Sequence, residues 1–300
     1  MIVRAPGKLV LSGAYAVLEG APAIVAAVDR YVSADAGRPA TLVTPEVRAA
    51  IGDRPAPFFD ASALRDGARK LGLGSSAAIL VASLGALRSA ERGALPDREL
   101  AEAVFAPALA AHARAQAGGS GIDVAASSFG GVLVAARVHG GLSVTPGALP
   151  TGLHLEVWCS PEPASTPALL AQVAALKAAH PGAHARWMQA QAEAAEAARD
   201  ALTSGSAAGL IDALCRQHVA LRELGRSAGA PIVTPAMAEL HALAQRQQAC
   251  LLPSGAGGGD ASIFAGLTPS SAAFAERALS LHQRPLRVTL GARGVHQEDA

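Results

Sequence analysis

Gly72-Leu73-Gly74-Ser75-Ser76 runs directly into residues 77–92, a stretch rich in Ala, Leu and Val that reads as a helix. Two glycines allow a tight turn with close backbone approach, and two serines offer caps, so the join predicts a helix N-terminus open to an anion. It is neither the Gly-x-x-x-x-Gly-Lys-Ser nucleotide pattern nor the dinucleotide Gly-x-Gly-x-x-Gly fingerprint. It still puts small residues where triphosphate oxygens can approach.

Of 300 residues, 51% are hydrophobic and 16% charged, which is far from the disordered corner and enough for one large domain or two modest ones. A net charge of +1 gives no basic field for nucleic acid, so the expected partner is a small molecule, with the chain a monomer or homodimer. The mean hydropathy of +0.29 comes from alanine. No window reaches the roughly 18 to 20 apolar residues of a bilayer-spanning helix, so no membrane is expected. Pro6 and Gly7 fall where a secretory peptide needs its apolar core, which predicts a cytoplasmic protein. Cys159, Cys215 and Cys250 lack disulfide or zinc spacing and read as buried thiols, and the nine histidines show no metal-ligand pattern. Lys8, Lys70 and Lys177 are the three lysines among 25 Lys and Arg residues. A lysine is therefore informative here, because its slim point charge enters crowded phosphate sites that a guanidinium fork cannot.

Residues 9–18 and 23–31 read as strand-rich, and 52–60, with Pro55 and Pro57, as a loop. A second helix is predicted over 97–116, between Pro96 and Gly118-Gly119, followed by turn and then strand over 121–136. The Gly- and Pro-rich stretch 138–151 is the expected boundary between two domains, 1–150 and 151–300. Beyond it the pattern predicts a strand at 153–159 and helices at 167–180, 185–203, 207–226 and 235–250. Strand, helix and strand follow over 261–267, 271–282 and 285–290, with a frayed tail from 293.

Three glycine-rich segments stand far apart in the chain: Ala5-Pro6-Gly7-Lys8, Lys70-Leu71-Gly72-Leu73-Gly74-Ser75-Ser76-Ala77-Ala78, and Pro253-Ser254-Gly255-Ala256-Gly257-Gly258-Gly259-Asp260. Each alone fits an ordinary loop. In this order they resemble the three signature motifs of the GHMP kinase superfamily, over most of the chain. Ser12-Gly13-Ala14-Tyr15-Ala16-Val17-Leu18, Ser120-Gly121-Ile122-Asp123-Val124-Ala125-Ala126-Ser127 and Pro231-Ile232-Val233-Thr234-Pro235 are similar to its phosphomevalonate kinase branch.

The resemblance implies an α+β kinase of two domains, the first like domain 2 of ribosomal protein S5, the second ferredoxin-like, with the active site between them. It implies ATP on Lys70, Gly72, Gly74, Ser75, Ser76 and Ala77, with Ser76 near Mg²⁺. Lys8 and Asp123 match the catalytic pair. Ser120, Gly121, Ser165, Ser254, Gly255, Ala256, Gly257 and Gly258 fall on the acceptor and phosphate-loop side. Physics supports the pair: a lysine stabilises charge as the phosphoryl group moves, and a carboxylate takes a proton or orients the nucleophile. A phosphate monoester, with a second pKa of about 6, is already ionised at pH 7, so the aspartate would then mainly position it. Read alone, Lys8 is an exposed lysine, Asp123 a turn residue and Ser165-Thr166 a helix cap. The implied substrate is a phosphorylated acid, phosphomevalonate, converted to its diphosphate. A kinase acting on mevalonate or another small alcohol, and a non-catalytic nucleotide or metabolite sensor, stay open.

The chain departs from the pattern at Ala14, where glutamate is usual, at Leu252, where lysine is common, and at Ala261, where cysteine is common. Gly118-Gly119 stands where phosphate-accepting relatives often carry a basic residue. Arg114, Arg186, Arg216 and Arg222 are candidates to balance the acceptor's charge, and His112 to orient the turn before Asp123.

Overall fold

The computed structural model describes residues 1–116, 119–139, 141–162 and 164–298. The N-terminal part opens with β1 (Ile2–Ser12) and β2 (Ala23–Pro39), then α1 (Pro45–Ile51) and β3 (Pro57–Asp60). A small hairpin, β4 (Arg65–Asp66) and β5 (Arg69–Lys70), leads into α2 (Ser75–Arg92), α3 (Asp97–Ala115), α4 (Ile122–Phe129) and the hairpin β6 (Val132–Val138) and β7 (Gly141–Gly147). The second part runs β8 (His154–Cys159), α5 (Thr166–Ala179), α6 (Pro181–Ser204), α7 (Ala207–Ala228), α8 (Pro235–Gln245), β9 (Cys250–Pro253), β10 (Ala261–Gly266), α9 (Ala272–Ser280) and β11 (Arg284–Leu286). A last strand, β12 (His296–Gln297), returns to the first sheet.

That first sheet has the order β12-β1-β2-β6-β7, with β3 also on β2. Its β1 is buried along almost its whole length, because the sheet packs on α2 and α4 through Ala77, Ala78, Val81, Val124 and Ala125. The second sheet, β11-β8-β10-β9, is antiparallel throughout. Its chain order, strand, helices, two strands, helix, strand, is the split βαβ arrangement of ferredoxin-like folds. Trp158, Phe264 and Phe274 form its aromatic centre, with ring centroids 5.6 and 5.1 Å apart. Gln217 on α7 joins the two parts: its side chain accepts from Gly13 N–H at 2.9 Å and donates to Ser12 Oγ at 2.5 Å.

The α+β class holds, and several local expectations change. Residues 57–60 are strand rather than loop, because Phe58 and Phe59 pair with Asp35 and Ala34 on β2. The stretch after Gly121 begins with helix α4 instead of passing from turn to strand, since its apolar run buries between α3 and β1. The Gly- and Pro-rich stretch after 138 carries β7, paired along the full length of β6. The tail is held rather than frayed: Val3 and Arg4 pair with Gln297 and His296, and Arg293 forks onto Asp97. Among the described residues, no helix is long and apolar enough to cross a membrane. All three cysteines are free thiols; Cys159 and Cys250 are buried, Cys215 half-buried.

His218 on α7 and His241 on α8 stack face to face, with centroids 3.5 Å apart and planes within 6°, and both are buried. Burial, then the neighbouring ring, push the His218 imidazole down to about 3. The unfolded chain thus binds a proton near pH 6.5 that the folded chain refuses, so stability is complete above that pH and lost as pH falls toward about 3. Urea unfolding should show a loss on the order of 2 kcal/mol between pH 7 and pH 5 from this group alone. His218→Gln should flatten that dependence; an unchanged slope would contradict the assignment.

Candidate active site

Helix α2 begins at Ser75 behind Gly74, whose left-handed conformation (φ 73°, ψ 36°) turns the chain sharply into the helix. No side chain caps this end, which leaves the N–H groups of the first turn for a ligand. Strand β1 lies against the same turn: Lys8 N–H donates to Leu73 O at 2.9 Å, and the Lys8 side chain crosses directly over Gly74. A Cβ on residue 74 would stand 2.7 Å from Lys8 Cε and 2.9 Å from Cγ, so the lysine occupies the space that any other residue would fill.

The Lys8 ammonium ends 3.5 Å from Asp123 Oδ2, in the first turn of α4. Gly121 (φ 80°) opens that helix, and Ser127 Oγ donates to Pro6 O at 2.9 Å, which ties α4 to β1. The third glycine segment closes the far side. Ser254 Oγ accepts from Val10 N–H at 3.0 Å, and Tyr15 OH donates to Ala256 O at 2.7 Å. Burial pushes the Tyr15 phenol up, so its hydroxyl stays a donor. Together these segments enclose a cleft of about 640 Å³.

Of the expected site residues, Lys8, Lys70, Gly72, Gly74, Ser75, Ser76, Ala77, Ser120, Asp123, Ser165, Gly255 and Ala256 line this cleft. Gly121 and Ser254 stand behind it as supports. Gly257 and Gly258 turn away: a Cβ on Gly257 would meet Ile232 O at 2.1 Å, and Gly258 N–H already donates to Ile232 O at 3.0 Å. Gly118 lies outside the described residues. Ala14 lines the cleft, whereas Leu252 is buried in the second sheet. None of the four candidate arginines reaches the cleft. Arg114 binds Ala49 O, Arg186 lies over the Trp187 ring, and Arg216 and Arg222 pair with Asp212 and Glu223.

Sequence reasoning did not single out Tyr15, Glu46 or Gln116, and it held Asp260 only as the end of the third glycine-rich segment and Thr166 only beside Ser165 at the start of a helix; all five line the cleft. Tyr15 and Asp260 carry non-glycine residues at positive φ (63° and 51°), a strain that collects at functional sites and leaves no trace in composition. Glu46 comes from α1, a helix the sequence pattern did not mark. Burial works against its ionised form, but hydrogen bonds from Gln116 (3.1 Å), its own N–H and Thr44 hold the carboxyl below its ordinary range. Burial raises the Asp260 carboxyl, with the Ala164 N–H and the charges of Lys8, Arg69 and Lys70 opposing. The lining side chains thus bring two lysines against three carboxylates.

With this geometry in hand, comparison with known proteins gives a consistent result. Residues 49–131 match the GHMP kinases N terminal domain family. A Streptomyces sp. (strain CL190) phosphomevalonate kinase is 31% identical, over 87% of this chain and 89% of its own. Among solved structures, a Streptococcus pneumoniae phosphomevalonate kinase in complex with phosphomevalonate and AMPPNP superposes with a TM-score of 0.77. It is 21% identical and covers 97% of this chain and 99% of its own. An L. major mevalonate kinase in complex with R-mevalonate superposes with a TM-score of 0.64 at 20% identity, covering 93% and 90%. The family match and the 31% identical relative show an ATP-dependent small-molecule kinase, and the superpositions show the two-domain α+β architecture. The chain belongs to the GHMP kinases.

Gly74→Ala tests the crossing of lysine and turn. The left-handed backbone should cost about 1–2 kcal/mol of stability, and the displaced Lys8 should lower turnover far more than that loss explains. Thermal melts paired with ADP-release rates check both, and a folded variant with near-normal turnover would refute the crossing.

Proposed function

We propose that this kinase transfers the γ-phosphoryl group of ATP to the phosphate of phosphomevalonate, giving diphosphomevalonate and ADP, in the cytoplasm. The observation that carries the reading is the Lys8–Asp123 pair, 3.5 Å apart beside the uncapped start of α2. The 31% identical phosphomevalonate kinase supports the choice of acceptor. In this reading the triphosphate lies along the first turn of α2, on the N–H groups of Ser75, Ser76 and Ala77.

Lys8 stands where charge grows on the moving phosphoryl group and its acceptor, and its burial excludes the water that would weaken it. Asp123 holds the ammonium in place and orients the acceptor oxygen, which needs no base if it belongs to an ionised phosphate. Lys70 serves the nucleotide's phosphates, and the acceptor's other anionic group faces the start of α5, where Ser165 and Thr166 carry hydroxyls and the Ser165 side chain makes no cap of its own.

Among the described residues no cluster of three or more His, Cys, Asp or Glu is arranged to hold a metal ion. In this reading Mg²⁺ would arrive with the nucleotide, take most of its oxygens from phosphate, and use the hydroxyl of Ser76 on the cleft wall as its protein ligand. When bound it would neutralise phosphate charge alongside Lys8 and Lys70.

The test is ADP release with Mg·ATP and phosphomevalonate, mevalonate, homoserine or galactose offered separately. Turnover confined to phosphomevalonate is expected; turnover on an uncharged alcohol would move the chain to another branch, and silence on all four would favour a sensor. Lys8→Met and Asp123→Ala should each lower kcat by several powers of ten while ATP still binds, because both act mainly in the transition state. Near-normal turnover in either variant would remove it from the chemistry.

A further inference from the structure

Asp260 is the one charged residue of the third glycine segment, and it follows three glycines of positive φ while itself standing at φ 51°. A non-glycine residue held there is strained, and the surrounding bonds explain what holds it. Its N–H donates to Glu162 O at 3.2 Å, its carbonyl accepts from Ser160 N–H at 2.7 Å, and its Oδ1 accepts from Ala164 N–H at 3.1 Å. Three separate bonds therefore tie this residue to the chain entering α5. On its opposite side it rests on the central turn: a Cβ on Gly72 would lie 2.6 Å from Asp260 Cβ and 3.3 Å from Oδ2. Gly72, itself at φ 73°, thus leaves the space that Asp260 fills.

We propose that Asp260 is a positioning residue that clamps the entry to α5 against the phosphate-binding turn, and so fixes where Ser165 and Thr166 stand across the cleft from Lys8. The two backbone bonds set the path of Ser160 and Glu162, and any residue at 260 would make them. The carboxylate bond to Ala164 belongs to this side chain, and it acts one residue before Ser165. An acceptor held by Ser165 and Thr166 is aligned with Lys8 only if the α5 entry and the central turn keep a fixed separation, since a shift of about 1 Å in a reacting group is enough to cost a large factor in rate. The Lys8, Arg69 and Lys70 charges around the carboxylate favour its staying in this place.

The kinetic part of this inference rests on the phosphoryl-transfer reading above, whereas the bond to Ala164 can be tested without any substrate. Asp260→Ala removes the acceptor of that bond, Ala164→Pro removes its donor, and Asp260→Asn keeps an amide oxygen in the same position. In hydrogen exchange followed by mass spectrometry on the full chain without ligands, the peptide covering Ala164 and Ser165 should exchange on the order of tenfold faster in Asp260→Ala, the scale of one lost hydrogen bond. Asp260→Asn should restore wild-type protection. In steady-state assays, Asp260→Ala and Ala164→Pro should raise the acceptor's KM on the order of tenfold and leave the KM for ATP within about twofold, with Asp260→Asn recovering most of the loss. If Asp260→Ala does not fold, Asp260→Ser, whose shorter side chain does not reach the Ala164 N–H, carries the exchange test, and Ala164→Pro, which has no amide hydrogen at 164, carries the kinetic test alone. Unchanged protection in the variants that fold would overturn the clamp, as would an Asn variant no better than Ala. Equal loss for both substrates would reduce Asp260 to a general structural role. A wild-type chain that turns over no acceptor would defeat the kinase reading and leave the exchange result to decide the clamp.

Discussion

The site depends on a side chain that is absent. Gly74 has no Cβ, and the Lys8 side chain lies in the space this leaves, while the Lys8 backbone is bonded to Leu73 O in the same turn. This one crossing brings an inner strand of the first sheet to the start of α2 and aims the ammonium at Asp123. A lysine so buried must keep an opposite charge nearby, and Asp123 supplies it at 3.5 Å. Position 74 must therefore remain glycine for two separate reasons, backbone conformation and side-chain space.

The same crowding explains why the cationic residue is lysine in a chain with three lysines among its 25 Lys and Arg residues. A slim stem passes over the turn where a planar fork would not, and the arginines that sequence reasoning considered for charge balance sit away from the cleft, in ion pairs, on a backbone carbonyl or over an indole ring. The cleft's side chains alone, two lysines and three carboxylates, are a poor match for polyanionic substrates. In the proposed reading, phosphate would be held by backbone N–H groups at the starts of α2, α4 and α5, which carry no side-chain cap. This arrangement is consistent with a nucleotide that brings its own cation.

What could be read from the sequence divides along physical lines. The start of α2 was legible because glycines and a serine pair are local signals, whereas Lys8 and Asp123, an exposed lysine and a turn residue when read alone, were marked by the resemblance of the three glycine-rich segments to the GHMP kinase motifs. Most of the helices of the second part followed from composition, and the α+β class followed with them. Helix α4 was missed because its apolar run has the composition of a buried strand, and only packing between α3 and β1 selects the helix. Gly257 and Gly258 read as a phosphate loop, yet tertiary contacts with Ile232 turn them away from the cleft. Tyr15 and Asp260 stood inside quoted segments without being singled out, because their bonds, Tyr15 OH to Ala256 O and Asp260 to Ser160, Glu162 and Ala164, join parts of the chain far apart in sequence.

The most direct test of the account is the chemical form of the product. Phosphorus NMR of the purified chain acting on Mg·ATP and phosphomevalonate should reveal, alongside ADP, a second pair of mutually coupled phosphorus signals from a new diphosphate ester, growing as the phosphomonoester signal falls. Formation of ADP with only inorganic phosphate, the phosphomonoester signal unchanged, would contradict the claim that Lys8 and Asp123 direct the phosphoryl group to an acceptor phosphate.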